Sequence, residues 1–387
     1  MKIILEILFY FVVFLILNSF FFYPIIIYLL SLFKSKSNRE PKYYPRISIL
    51  IAAYNEEKVI AERIKNIAEM DYDFTKIELF IGSDCSNDNT NTILNEYANI
   101  YPWLKIYLSK NRMGKAGILN ELVKSVNGEI LLFSDANTHF RNDVLKNIIN
   151  DFQDRTVGGV CGRLVLTDND DVRKESVEET NYWAYETFIK KAEGKLGIQI
   201  SANGGIFAIR KELFKEIPLK NAVTDDLFIS LSVVAQDYKF TYSENSVAYE
   251  NIGKDVMQEF NRKVRFSATN FETLVFHKSL LNGKNFLLSY AFFSHKVTRW
   301  ILPFLLISLF FLSIVVAQFS LFAQLLFLFQ IAFYIAGTAG YLLALEKIRI
   351  PFFSLPYFFI VANIAILQGF KKFLQKKHSV IWESTER

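Results

Sequence analysis

The stretch Arg46-Ile47-Ser48-Ile49-Leu50-Ile51-Ala52-Ala53-Tyr54-Asn55-Glu56-Glu57 decides the fold. An apolar run of strand length ends in a polar loop, which is how a strand buried on both faces reads. Helical periodicity follows over Glu57 to Met70, then a second apolar run, Ile77 to Gly82, ending at Ser83-Asp84-Cys85-Ser86. The alternation continues. A helix is predicted over Thr90 to Ala98, a strand at Leu104 to Leu108, a helix over Gly114 to Val126 and a strand over Glu129 to Phe133. Such alternation implies an α/β fold with a mostly parallel central sheet and right-handed crossovers. Ligands in these sheets bind beyond the carboxyl ends of the strands, where Asn55, Glu57, Asp84 and Asp135 stand.

The second half is more mixed. Val157 to Leu166 reads as a strand, Val172 to Glu193 as a helix and Ile206 to Ile209 as a short strand. Asp225 to Ala235 reads as a helix capped near Thr224, and Tyr238 to Tyr249 as one or two edge strands. Asp255 to Phe276 is amphipathic, with Val256, Phe260, Val264, Phe271 and Val275 on one face and Arg262, Arg265 and Thr269 on another.

Outward from this domain the composition changes. The chain has 387 residues, 38 of them Phe, and mean hydropathy +0.20. Its 21% charged residues fall below the roughly 25% of soluble domains. The apolar excess lies before Lys34 and after Asn285. Ile3 to Phe33 is long enough for a bilayer core, which takes about 20 residues. It exceeds the apolar core of a signal peptide, about 7–15 residues, and has no clear cleavage site. We therefore expect an N-terminal transmembrane anchor over 1–34 and a globular domain over 45–276. Interfacial and transmembrane helices should follow over 285–370, then a basic tail over 371–387. Lys34, Lys36, Arg39, Lys42 and Arg46 follow the anchor, which places the globular domain in the cytosol. Ile301 to Gln318 and Leu321 to Leu345 are expected to span, Phe286 to Trp300 to lie in the interface, and Phe352 to Phe370 to be shallow, leaving the C-terminus cytosolic. Basic residues beside apolar segments indicate a lipid bilayer as partner. No aromatic-basic nucleic-acid module is present, and Cys85 and Cys161 make no disulfide framework.

In order, Ala53-Tyr54-Asn55-Glu56-Glu57, Ser83-Asp84, Arg112-Met113-Gly114-Lys115-Ala116-Gly117, Ser134-Asp135-Ala136-Asn137, Thr224-Asp225-Asp226 and Arg262-x-x-Arg265-Phe266 occur. Each is weak alone. Together, over about Pro45 to Thr273, they resemble the membrane-embedded family-2 glycosyltransferases, whose best-known members are cellulose, chitin and hyaluronan synthases. The resemblance implies a GT-A fold and a nucleotide-diphosphate sugar as donor, a UDP-sugar in the first instance. It implies Mg²⁺ or Mn²⁺, and an acceptor that is a saccharide or lipid-linked. A hexosyl- or N-acetylhexosaminyltransferase of the bacterial inner membrane is expected, with export partners for a polysaccharide product.

By that resemblance Asn55, Glu57 and Asp84 hold the nucleotide's base and ribose. Carboxylates at strand ends suit hydroxyl and imide donors, although Asn55-Glu56-Glu57 also reads as an ordinary helix N-terminus. Lys115, flanked by Gly114 and Gly117, suits a diphosphate at a helix start. Asp135 and Asn137 occupy the family's Asp-x-Asp metal motif, with an amide in place of the second acid. Asp226 ends the match to Thr-Glu-Asp and is the general base, with Asp225 able to raise its pKa by like-charge repulsion. The same three residues equally read as an N-cap with first-turn acids. Arg265 matches the family's Gln-x-x-Arg-Trp and pairs the leaving diphosphate, with Arg262 beside it. Arg262 replaces the Gln and Phe266 the Trp, which position the acceptor sugar in processive synthases. A basic amphipathic helix on anionic lipid is the other reading of this face. Asn203, Gly204 and Trp183 are expected on the acceptor side, with a plain core role equally open to Trp183. The resemblance also implies a single displacement with one base and no enzyme nucleophile, and so inversion. Two rival functions stand beside this: loading one sugar onto a polyprenyl phosphate, whose anionic acceptor needs less base catalysis, and a non-catalytic membrane scaffold.

Overall fold

The structure is a computed structural model described over residues 1–34, 44–167, 177–251, 256–346, 348 and 350–377. The Trp382 to Arg387 tail lies outside the described residues. The chain opens with α1 (Lys2–Leu17), a π-helical turn (Asn18–Phe22) and α2 (Tyr23–Leu32). The globular part then runs β1 (Ile47–Ala53), α3 (Ile60–Ala68), β2 (Ile77–Ser83), α4 (Thr90–Ile100), β3 (Leu104–Leu108), α5 (Gly114–Ser125), β4 (Ile130–Ser134), β5 (Thr138–Phe140) and α6 (Val144–Asn150). It continues with β6 (Val157–Thr167), α7 (Val177–Leu196), β7 (Phe207–Arg210), α8 (Asp225–Val234), β8 (Lys239–Asn251) and α9 (Val256–Phe276). After these come α10 (Phe286–Ala291), a π-helical segment (Phe292–Val297), α11 (Thr298–Trp300), α12 (Leu302–Val316), α13 (Leu321–Leu345) and α14 (Pro351–Leu374).

The strands form one sheet in the order β3-β2-β1-β4-β7-β6-β8-β5. β3, β2, β1 and β4 are parallel, β7 runs against both β4 and β6, and β6 pairs β8 in parallel. The α/β expectation holds. Every residue of β1 is buried. Ile47, Ile49 and Ile51 face Ile60, Ile64 and Leu94 of α3 and α4, while Leu50 and Ala52 face Leu119 and Leu122 of α5. Covering both faces is what makes the strand read as a continuous apolar run.

β8 is not an edge strand. β6 flanks it on one side and β5 on the other, with Thr138 opposite Glu250. Three-residue β5 takes the edge, and it brings the Asp135–Asn137 loop against the end of β8.

Lys2–Leu32, Leu321–Leu345 and Pro351–Leu374 are each long and apolar enough to cross a membrane, while Phe286–Trp300 and Leu302–Val316 form a pair bent by 70°. At 15 residues, α12 falls short of the roughly 20 that a crossing needs. By length and composition the last segment can cross as readily as α13. Its packing is lateral to the domain, however. Ser267 Oγ of α9 donates to the Ile366 carbonyl at 3.1 Å, and Phe271 meets Phe370 and Phe373 edge-on and tilted. The N-terminal segment is also shared: Tyr23 and Ile27 of α2 lie in the same core as Ile189, Phe240 and Trp300.

Candidate active site

β1, β2 and β4 are adjacent and parallel, so their carboxyl ends open on one edge. The loops after β1 and β2 are bonded to one another there. Asn55, at φ 55°, donates its N–H to Ser86 Oγ and accepts from Asn87 N at 3.0 Å. Glu57 Oε2 accepts from both Asn89 N and Asn89 Nδ2 at 2.9 Å. These two side chains therefore shape the rim of that edge through the loop they hold.

Asp84 is completely buried. Its oxygens accept from Met113 N at 2.6 Å, Gly114 N at 3.1 Å and Arg112 Nε at 3.0 Å, and Arg112 in turn lies 3.3 Å over the Tyr54 ring. The acid expected to meet a ribose is engaged with the start of α5. It also takes the helix N-terminal amides that the sequence offered to a diphosphate, because a buried carboxylate is itself a good N-terminal anion. Asp84 acts by positioning the Arg112-to-Lys115 turn.

Lys115 then projects to the centre of the site. Its Nζ lies 2.7 Å from Asp135 Oδ1 and 2.9 Å from Asp225 Oδ2. Burial works against its charge, but the two carboxylates prevail and hold its pKa above the usual lysine range. Asp135 stands at the end of β4 and Asp225 at the start of α8, so one ammonium ties the expected metal side to the expected acceptor side. Gly204 sits between the two. A methyl built on it would be 3.5 Å from Asp226 Oδ2 and 3.7 Å from Asp135 Oδ2.

Asp226 is half-buried and accepts from Leu227 N at 2.7 Å. Burial and the neighbouring Asp225 push its carboxyl up to about 6, with Lys115 opposing. Thr224 does not cap α8 with its side chain. Its hydroxyl meets Thr269 Oγ1 at 2.7 Å and donates to Asn270 Oδ1 at 2.9 Å, and its N–H donates to Thr273 Oγ1. The carboxylate turn is thereby fastened to α9 one helical turn from Arg265, which with Arg262 and Phe266 lies on the exposed face, both guanidinium groups about Phe266 at 5.4–5.5 Å.

Asn137 donates its amide to Glu250 Oε1 at 3.0 Å, so a carboxylate stands beside the position where the motif has lost one. Among the described residues no three His, Cys, Asp or Glu side chains converge as a metal cage. Asn203 is buried and tied from all sides: to Cys161 Sγ, to the Gly162 carbonyl and to Lys190 Nζ at 2.5 Å. Trp183 is half-buried on α7.

Three residues escaped the sequence reading. Arg63 is buried behind β4 and donates to Ser134 Oγ at 2.9 Å; an Arg inside the Ile60-Ile64-Ile67 stripe is the signal that could have found it. Lys190 and Glu250 carry no local signal, since their partners are distant in sequence.

Residues 48–218 match the family described as glycosyl transferase family 2. A beta-monoglucosyldiacylglycerol synthase of Nostoc sp. is 34% identical over 172 residues, 43% of this chain and 34% of that one. A poly-beta-1,6-N-acetyl-D-glucosamine synthase of Staphylococcus epidermidis is 25% identical over 237 residues, 59% of this chain and 55% of that one. The chain thus spans between a third and about half of the length of these relatives. A mannosyltransferase of Pyrobaculum calidifontis, solved with GDP-Man and Mn²⁺, superposes with a TM-score of 0.69 at 22% identity over 96% of this chain and 100% of that one. Residues 48–218 thus form a family 2 glycosyltransferase domain, and the fold is GT-A.

Proposed function

We propose that the protein is a membrane-bound, inverting glycosyltransferase. It moves a sugar from a nucleotide-diphosphate donor, a UDP-sugar in the first instance, to a neutral hydroxyl of a saccharide or lipid-linked acceptor. The supporting observation is the convergence of Asp135, Lys115, Asp225 and Asp226 around Gly204, on the carboxyl edge of the sheet and beside a helix that packs on apolar segments. The named relatives make a glycolipid and a polysaccharide, which agrees with either acceptor.

Asp226 takes the acceptor proton as the hydroxyl attacks the anomeric carbon. A base near pH 6 is better matched to that task than an ordinary carboxylate. Its raised pKa favours a neutral acceptor over a polyprenyl phosphate, which arrives already ionised. Lys115 balances the carboxylates flanking the reacting centre, and Arg265 with Arg262 meets the departing diphosphate. Asp135 suits a divalent cation: Mg²⁺ is usually held by one or two carboxylates with phosphate and water completing the shell. When bound, that cation would neutralise the diphosphate. Asp135 would be its main protein ligand and Asn137 a minor one. We read the catalytic domain as cytosolic, on the positive charge that follows the first apolar segment.

The experiment is product analysis of the full chain in lipid nanodiscs, with UDP-glucose, UDP-N-acetylglucosamine and GDP-mannose each offered diacylglycerol, an oligosaccharide or a polyprenyl phosphate. Transfer with inverted anomeric configuration to one of the neutral acceptors is expected. Transfer only to the polyprenyl phosphate, retention of configuration, or no transfer at all would overturn the reading. In calorimetric titration, Mn²⁺ binding with nucleotide present should vanish in Asp135→Ala and weaken modestly in Asn137→Ala. Equal loss in both would make Asn137 a full ligand.

A further inference from the structure

One face of α7 is polar and buried. Glu186, Lys190 and Glu193 follow at spacings of four and three, so they share a face, and all three are almost inaccessible to solvent. Its two glutamates meet the apolar helices. Glu193 Oε1 accepts from the Tyr23 hydroxyl of α2 at 2.5 Å and lies 2.7 Å from His295 Nδ1. Glu186 Oε2 lies 3.1 Å from His295 Nε2 and 3.7 Å from Lys296 Nζ, and Glu186 Oε1 accepts from Arg299. Both apolar partners reach this point through π-helical turns that bond to each other. Asn18 Nδ2 donates to Ser294 Oγ at 2.9 Å, Ser19 Oγ to the Ser294 carbonyl at 2.7 Å, and Tyr290 to Asn18 Oδ1 at 2.7 Å. Such turns are rare and frequently occur at functional sites.

Between those two glutamates, the same stretch of α7 meets the active site. Lys190 Nζ donates to Asn203 Oδ1, and the next residue is Gly204, which faces the Asp226 and Asp135 carboxylates. Stability does not account for the network. Among the described residues Glu193 Oε2 and Arg299 Nε are buried without a hydrogen-bond partner, which costs the fold stability. Apolar side chains of similar volume are often as stable as a buried ionic cluster, or more so. What the network supplies that apolar packing cannot is a fixed register between three elements.

We propose that His295 and Lys190 are positioning residues joined by one strut, the Glu186–Glu193 stretch of α7, through which the docking of the apolar helices sets the Asn203-Gly204 loop against the catalytic carboxylates. α7 is the rigid member. Its Glu186 and Glu193 grip His295, and its Lys190 carries the same placement to Asn203. An acceptor approaching Asp226 from the bilayer side would then find its site formed only when the N-terminal segment and the 286–300 helix are seated. The role assigned to this loop rests on the reading of Asp226 as the acceptor base, whereas the mechanical link does not.

Hydrogen exchange of the full chain in nanodiscs tests the link without any substrate. In His295→Leu, amides of residues 201–206 should exchange about tenfold faster, as expected when a contact holding a local unit is lost. Amides at Asp84, Met113 and Gly114 should keep their wild-type rates. His295→Gln should restore part of the protection. Faster exchange confined to residues 290–297 would overturn the proposal. Should His295→Leu not fold, Lys190→Met decides in its place, and wild-type exchange over 201–206 in that variant is equally fatal. With the nucleotide sugar and acceptor found by product analysis, both variants should raise the acceptor KM about tenfold at unchanged donor KM, the pattern of lost acceptor positioning. The double variant should lose no more than the worse single one, since both cut one strut. Additive losses would separate them. A wild-type protein that transfers no sugar would sink the functional reading and leave the exchange result standing.

Discussion

Two aspartates at the carboxyl edge of the sheet do opposite things. Asp84 ends β2, is completely buried, and accepts three hydrogen bonds from Arg112, Met113 and Gly114. Asp226 opens α8 half-buried, accepts from Leu227 N, and stands beside the like charge of Asp225. The first is stabilised by its surroundings and shapes a loop. The second is held in an environment that disfavours its charge, which is the condition of a useful base. Asp84 is engaged in architecture, whereas Asp226 accepts one backbone hydrogen bond beside a like-charged neighbour.

Converting each aspartate to asparagine tests the contrast with one chemical change. Asp226→Asn should lower kcat by about 10²–10⁴-fold, the usual contribution of a general base, while calorimetric binding of the nucleotide sugar stays near wild type. Loss of donor binding would reassign Asp226 to the metal or to folding. The pH profile gives the next largest effect. The base acts ionised, so kcat/KM should fall tenfold per unit as pH drops below about 6, where burial and Asp225 place its carboxyl. Lys115→Met removes the charge that opposes that shift and should move the inflection to higher pH, whatever it does to the plateau. An inflection that stays in place would mean that another group limits the rate.

Asp84→Asn should act on stability. Its oxygens receive a guanidinium and two backbone N–H groups, and charge-assisted bonds contribute about 1.5–3 kcal/mol each. A loss of that size should lower the apparent Tm by several degrees at fixed scan rate, and the donor KM should rise as the Arg112-to-Lys115 turn loosens. An unchanged Tm with abolished nucleotide binding would show instead that Asp84 meets the donor directly.

This contrast marks how far the sequence could be read. The buried run of β1, the alternation through β4 and the placing of Asp135 and Asp226 at element ends were legible, because periodicity and turn residues are local signals. What an acid at a strand end bonds to is not local. Asp84 looks the same whether it awaits a ribose or holds amides 29 and 30 residues away. Likewise Thr224 reads as an N-cap, yet its hydroxyl bonds to Thr269 and Asn270 of α9. β5 has three residues, too few for periodicity, and its pairing with β8 spans the second half of the domain. His295, Lys296 and Arg299 in an aromatic run suit a lipid interface. They are instead turned inward because Glu186 lies opposite, more than 100 residues earlier in the chain.

The smallest expected effect is the one that separates the two aspartates most cleanly. A carboxyl whose pKa is raised on folding binds its proton more tightly in the folded state. Whatever stability that contributes is fully present below the unfolded carboxylate value, near 4, and is lost as pH rises through about 6. Above pH 6, ionised Asp226 therefore burdens the folded state. Asp226→Asn removes the burden and keeps an oxygen for the Leu227 N–H. The variant should unfold a few degrees above wild type at pH 8 and level with it at pH 4, a gain no larger than a modest single-site effect. Activity and stability would then move in opposite directions at Asp226 and downward together at Asp84. A variant of Asp226 that unfolds below wild type at pH 8 would show that its charge is stabilised in place, and the case for it as the base would fall with that result.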